Sequence, residues 1–391
     1  MIGVFYRIRK AALLFVALGS LTFVSACETT TVGGGGPTIN PSKPVPVALL
    51  VPIGSAQAGD SVLARSLENA ARMAIADLKG VQIDLRVYDT AGTPAVAAAR
   101  AKEAANDGAR IILGPVYAEA ANAVGLAVRG RGINVLSFSN NTSIAGGNVF
   151  VLGSTFNNTA DRLVRYAASQ GKRNMLVVYS NDVAGQLGRN AISQAAASTT
   201  ANIAGAVAYE RSQQGVNASV PQIREQAQSV GADSLFLTAN TAGALPLFSQ
   251  LLPESGLDPA TIQYIGLTRW DIPPQTLSLT GVQGGWFAMP DPVIAGQFRA
   301  RYQATYGGAP HPIGGLAYDG IAAIGALVGA GKSDALTGAA LTQKAGFQGV
   351  SGIFRLRPDG TNERGLAVAS VQNRQVVIID PAPKRFSGAG F

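Results

Sequence analysis

One histidine and one cysteine occur in 391 residues, and these two scarcities exclude most catalytic chemistry. A cysteine nucleophile needs a neighbouring base, and a structural zinc site needs about four Cys or His ligands. Neither set can be assembled. A single cysteine also forbids an intrachain disulfide, so no redox compartment can be read from pairing. The histidine, His311, stands between Pro310 and Pro312 in a Gly-rich loop and reads as a surface residue rather than a proton-transfer group. No Gly-x-Ser-x-Gly elbow is found. Residues 326–333 end in Gly331-Lys332-Ser333, as a phosphate loop would, but Ala326 replaces the first glycine and the segment closes a helix instead of opening one. Gly331 reads there as a helix C-cap, with Lys332 at the negative end of the dipole. A non-enzymatic protein without cofactor or metal is expected.

Charge is sparse as well. Only 14% of residues are charged against 47% hydrophobic, which supports a large core. The net charge of +8 is scattered, with no basic run and no aromatic interleaving, so nucleic acid is not an expected partner. Arg7, Arg9 and Lys10 precede an apolar stretch, Ala11 to Phe23, too short to cross about 30 Å of hydrocarbon. Small residues follow at Val24-Ser25-Ala26, and the segment 1–26 reads as a cleaved export signal, leaving a charge of about +5. Val-Ser-Ala-Cys resembles the lipobox of bacterial lipoproteins. That likeness implies acylation of Cys27, attachment to a membrane through its acyl chains and, with Glu28 rather than Asp next, outer-membrane sorting on the periplasmic side. Residues 27–44, with four consecutive glycines and little that is apolar, read as a tether.

Beyond residue 44 the chain alternates short buried strands with amphipathic helices. Ile111-Ile112-Leu113 is wholly apolar, as a strand covered on both faces must be. Ala118 to Val128 carries Ala, Val and Leu at helical spacing, and Ile133 to Leu136 is apolar again. Strands at 47–51 and 81–88, with helices at 63–78 and 95–106, extend this unit to β-α-β-α-β-α-β over 47–142. A second series follows, with strands at 175–179, 203–209, 234–238, 264–267 and 285–288 and helices at 159–169, 186–197, 220–230 and 245–252. Helices are also predicted at 298–306 and 316–330, then a β-meander from Gly349. The alternation predicts α/β architecture with doubly wound parallel sheets.

Open sheets of this kind bind ligands beyond the carboxyl ends of their strands. Two facing lobes would bring Ser55, Tyr117, Ser139, Asn140, Asn141, Asp182, Asn240, Thr241 and Trp270 to one groove. Hydroxyls, amides and helix starts suit an anionic or zwitterionic small ligand, although Ser, Asn and Thr after strands also serve as ordinary helix caps.

Six segments taken together carry a resemblance: Val47-Ala48-Leu49-Leu50-Val51-Pro52, Tyr88-Asp89-Thr90-Ala91-Gly92, Ile112-Leu113-Gly114-Pro115, Val135-Leu136-Ser137, Ala317-Tyr318-Asp319-Gly320 and Phe347-Gln348-Gly349-Val350-Ser351-Gly352. In this order they resemble the Leu/Ile/Val-binding type of periplasmic binding protein, over about residues 45–380. The resemblance implies a type 1 fold of two lobes joined by three hinge crossovers. Lobe 1 is expected at 45–156 plus 288–346 and lobe 2 at 157–287 plus 347–383, followed by a tail at 384–391. The ligand residues that the likeness implies are altered: Val116-Tyr117-Ala118-Glu119-Ala120 holds no serine, Ala184-Gly185 stands for Tyr-Gly, and Thr268 stands for an acid. Leu-Gly-Pro-Val-Tyr with Asn-Val-Leu-Ser-Phe-Ser-Asn looks like the version found in lipoprotein activators of penicillin-binding proteins. That likeness implies a peptidoglycan synthase as partner. The other expectation is the substrate-binding component of an ABC importer for branched-chain or other amino acids, partnered by its permease.

Overall fold

The computed structural model describes residues 36–386. The expected signal segment, Cys27 and the first part of the expected tether lie outside the described residues, as do 387–391. The end of the tether stretch is not free of the body. Ile39, its lone large apolar residue among those described, is 6% exposed in the first core cluster, and its N–H donates to the Ser333 carbonyl.

The first sheet is built in the expected alternation: β1 (Val45–Val51), α1 (Asp60–Asp77), β2 (Ile83–Asp89), α2 (Pro94–Asn106), β3 (Ile111–Leu113), α3 (Ala118–Val128), β4 (Asn134–Ser137) and β5 (Val149–Val151). All five strands are parallel, in the order β2-β1-β3-β4-β5. Strand β1 is largely apolar because both faces are covered, and Leu49 pairs with Val87 on one side and Leu113 on the other. Helix α1 turns Leu63, Leu67, Ala70, Ala71 and Ala74 inward. Full burial of a leucine such as Leu67 contributes about 1.5–3 kcal/mol.

The second series gives α4 (Phe156–Ser169), β6 (Asn174–Ser180), α5 (Val183–Ala197), β7 (Asn202–Tyr209), α6 (Gln213–Ser229), β8 (Ser234–Leu237), α7 (Leu245–Glu254), β9 (Gln263–Gly266) and β10 (Trp286–Met289). Its parallel strands run β7-β6-β8-β9-β10, repeating the order of the first sheet. Helices α8 (Pro292–Tyr306), α9 (Gly315–Gly329) and the short α10 (Gly338–Leu341) follow, and α8 and α9 pack on α1 of the first lobe. The predicted meander divides in two. Strands β11 (Phe347–Gly349), β12 (Gly352–Leu356) and β13 (Asn362–Arg364) form a separate antiparallel sheet, whereas β14 (Ala367–Gln372) and β15 (Gln375–Asp380) extend the second sheet beyond β10. Phe347, Phe354 and Leu356 join the first core cluster. Of the stretch 347–383 expected in the second lobe, strands β11 to β13 stand apart from the second sheet, and Phe347, Phe354 and Leu356 bury against the first lobe, whereas β14 and β15 join the second.

The chain passes between the sheets three times: after β5, after β10, and between β13 and β14. The crossings are tied by buried polar groups. Asn362 Nδ2 donates to the Val151 and Gly153 carbonyls at 2.7 and 2.8 Å, and Asn158 Nδ2 donates to the Asn362 carbonyl. Asn158 also completes a capping box with Thr155 at the start of α4. Asp319, fully buried on α9, accepts from the Val350 N–H at 2.8 Å and from Arg364 Nη1 at 3.0 Å. A side chain at Gly349 would put its Cβ 2.3 Å from Asp319 Oδ1. The Tyr-Asp-Gly and Gln-Gly-Val motifs are thus two halves of one buried crossing.

Candidate ligand-binding cleft

In both sheets the strand order reverses beside the first strand, between β1 and β3 and between β6 and β8, and a crevice opens where neighbouring loops part in opposite directions. In the second lobe a cavity of about 380 Å³ fills that crevice. Its walls are Ser180 at the end of β6 and Asp182 after it, Arg211 after β7, Thr238 and Asn240 after β8, and Thr268 after β9. In the first lobe a cavity of about 450 Å³ lies under Tyr117 after β3 and Ser139, Asn140 and Asn141 after β4, with Ile313 and Leu316 at the start of α9 and Leu366 from the third crossing. A third cavity, about 370 Å³, lies between the lobes, with Asn140, Asn141 and Thr142 on one side and Val183, Ala184 and Leu187 on the other. It shares Asn140 and Asn141 with the first-lobe cavity and Phe156 and Ala184 with the second, so the three form one cleft. Volumes in this range suit a small organic ligand.

The two walls differ in chemistry. The first is mainly apolar, and its one charged residue, Arg364, is committed to Asp319 and to the Leu152 carbonyl. The second is polar. Asp182 caps α5 by accepting from the Gly185 N–H at 2.7 Å, and it also accepts from Ser180 Oγ and Arg211 Nη1. These donors, the Gly185 N–H foremost, hold its carboxyl below the usual range. Ser212 caps α6 through the Gly215 N–H. The wall therefore sits over the positive ends of two helices.

Tyr117 lines the first-lobe cavity and also a side cavity of about 360 Å³ that includes Gln57, Gly92 and Glu119. Its hydroxyl donates to Asp60 Oδ1 at 2.5 Å, and burial together with that bond pushes the phenol up to about 12. Asp60 is 3% exposed, and its second oxygen has no hydrogen-bond partner.

Of the residues predicted for the groove, Tyr117, Ser139, Asn140 and Asn141 come together on the first wall, and Asp182 and Asn240 on the second. Ser55 and Thr241 do not line these cavities. Ser55 Oγ accepts from the Gln57 N–H in a local turn, and Thr241 Oγ1 donates to the Ile272 carbonyl at 2.7 Å. Trp270 is a core residue, not a cleft residue. It is fully buried and stacks on Phe287 at 6.4 Å, and its indole rests on Gly266 and Gly285, where an added Cβ would fall 2.2–2.3 Å from ring atoms. Two glycines without side chains leave a slot for the ring, and burial outweighs exposure at the groove. Sequence reading missed Arg211, Ser180 and Thr238. Their position at or just beyond strand ends was the available signal.

Residues 44–375 match the family described as periplasmic binding protein. Among solved structures, a protein from Rhodospirillum rubrum assigned to a branched-chain amino acid ABC transporter is 18% identical, covers 86% of this chain and 100% of its own, and superposes with a TM-score of 0.73. An ABC transporter substrate-binding protein from Desulfitobacterium hafniense in complex with Leu is 17% identical, with 86% and 100% covered and a TM-score of 0.61. A curated relative, the uncharacterized protein RP748 of Rickettsia prowazekii (strain Madrid E), is 24% identical over 166 residues, 42% of this chain. The match spans 44% of that relative's length. With the family match covering most of its length, and with two doubly wound lobes, three crossovers and a cleft between them, this chain belongs to the periplasmic binding protein family.

Proposed function

We propose that this protein is the substrate-binding component of an ABC importer, taking a small carboxylate, an amino acid or an analogue of one, into the cleft and presenting it to a permease in the periplasm. The observation that carries the reading is the run of adjoining cavities from one lobe to the other, with one apolar wall and, at the strand-order switch of the second sheet, one wall of hydroxyls, amides and helix starts. Of the solved structures named above, the Rhodospirillum rubrum protein is assigned to an ABC transporter and the Desulfitobacterium hafniense substrate-binding protein holds Leu, which supports the same reading. The activator role expected from the opening unit rests on sequence likeness alone, and the comparisons favour transport. Lipid attachment at Cys27 is compatible with either role and remains part of the proposal.

Uptake of labelled leucine and related carboxylates by cells with and without the gene tests it. Uptake of at least one compound should fall severalfold on deletion while cell-wall synthesis continues at its normal rate. Unchanged uptake of every compound, with slowed peptidoglycan synthesis, would reverse the assignment in favour of the activator.

A further inference from the structure

We infer that the cleft selects carboxylates that lack an α-amino group, such as 2-oxo acids, over the amino acids with the same side chain. This rests on the small-carboxylate reading and narrows its ligand. An ammonium group entering the cleft loses its water and needs a carboxylate to replace it. Asp182, the acid on the second wall among the described residues, has both oxygens engaged, Oδ1 by Gly185 and Ser180 and Oδ2 by Arg211. Thr268 adds a hydroxyl there and no charge. The first wall carries no acid among its described lining residues. Asp60 Oδ2 is unpaired but sealed from solvent beside Tyr117 and Gly92, and Glu119 lines the side cavity with Tyr117 instead. A carboxylate is served differently. Arg211 is 63% exposed and gives Asp182 only Nη1, so other donors of its five remain accessible, and the starts of α5 and α6 lie beside it. The hydrocarbon part of the ligand then meets Ile313, Leu316 and Leu366 across the cleft.

Isothermal titration of the purified protein with matched pairs tests the inference: leucine against 4-methyl-2-oxopentanoate, and phenylalanine against phenylpyruvate. The oxo acid should bind at least tenfold more tightly in at least one pair. Equal or tighter binding of the amino acids overturns the preference but keeps the small-ligand cleft; no binding by any compound overturns both. Thr268→Glu supplies the missing acid on the second wall and should move the ratio at least tenfold toward the amino acid. An unchanged ratio in a folded variant would contradict the assigned cause.

Discussion

Replacing Arg364 by Met removes one half of a pair whose members are 5% and 0% exposed at the side chain. Asp319 would keep the Val350 N–H and lose its only ionic partner among the contacts described, and the Leu152 carbonyl would lose its guanidinium donors. Breaking a buried pair in this way costs about 3–5 kcal/mol, because a charge is left without compensation. Unfolding entropy of about 2.1 cal/mol/K per residue over about 350 residues converts that to a drop of about 4–7 °C in Tm. Burial already pushes the Asp319 carboxyl above its usual range, opposed chiefly by Arg364. Without the arginine its affinity for protons rises further, so the variant should lose less at pH 5 than at pH 7, where neutralising the acid is harder. Arg364→Met combined with Asp319→Leu removes both charges and should recover part of the stability, since the uncompensated charge is gone but the Val350 N–H and the Leu152 carbonyl lose these partners. Calorimetric melting of the three proteins at both pH values measures this. A single variant within about 1 °C of wild type would refute the view that the crossing depends on this pair.

Tyr117→Phe leaves Asp60 without its phenol donor and should cost about 1–3 kcal/mol in denaturant unfolding at pH 7. With the phenol raised to about 12, ultraviolet titration of wild type and Tyr117→Phe should count the same number of tyrosinates up to pH 11. Asp182→Ala removes the cap of α5 and should cost about 1 kcal/mol at pH 7. The folded carboxyl titrates below its unfolded value of about 3.9, so its stabilisation is complete above that pH and is lost as pH falls through the folded value. The difference between wild type and variant should therefore shrink below about pH 4 in equilibrium unfolding.

Elements that bury mainly apolar residues were the most legible in sequence. Helix α3 stands at the residues its apolar spacing predicted, and strand β12 falls within the predicted meander, because core burial sets both. Helix α6 begins seven residues before its predicted start, since Ser212 caps it through Gly215, and the helix continues through Pro221. Helix α8 begins at Pro292 under the Asp291 cap, yet buries only Tyr302 and so shows no apolar face to read. The division of the last strands between sheets was hidden because strand pairing depends on distant partners: β14 needs β10, about eighty residues earlier. For the cleft, residues placed directly after strands were readable, as Asn140, Asn141 and Asp182 illustrate. Trp270 was misread because its burial depends on two glycines, Gly266 and Gly285, that only the fold brings beside it.

Thermal melting of the purified protein against a panel of amino acids, 2-oxo acids, aromatic carboxylates and small cell-wall fragments tests the cleft most directly. A ligand at 100 times its Kd should stabilise the protein by about 2.7 kcal/mol, or about 4 °C at this size. The account predicts such a shift with at least one small carboxylate and none with cell-wall fragments. A flat response to every carboxylate, with wild-type folding intact, would contradict it.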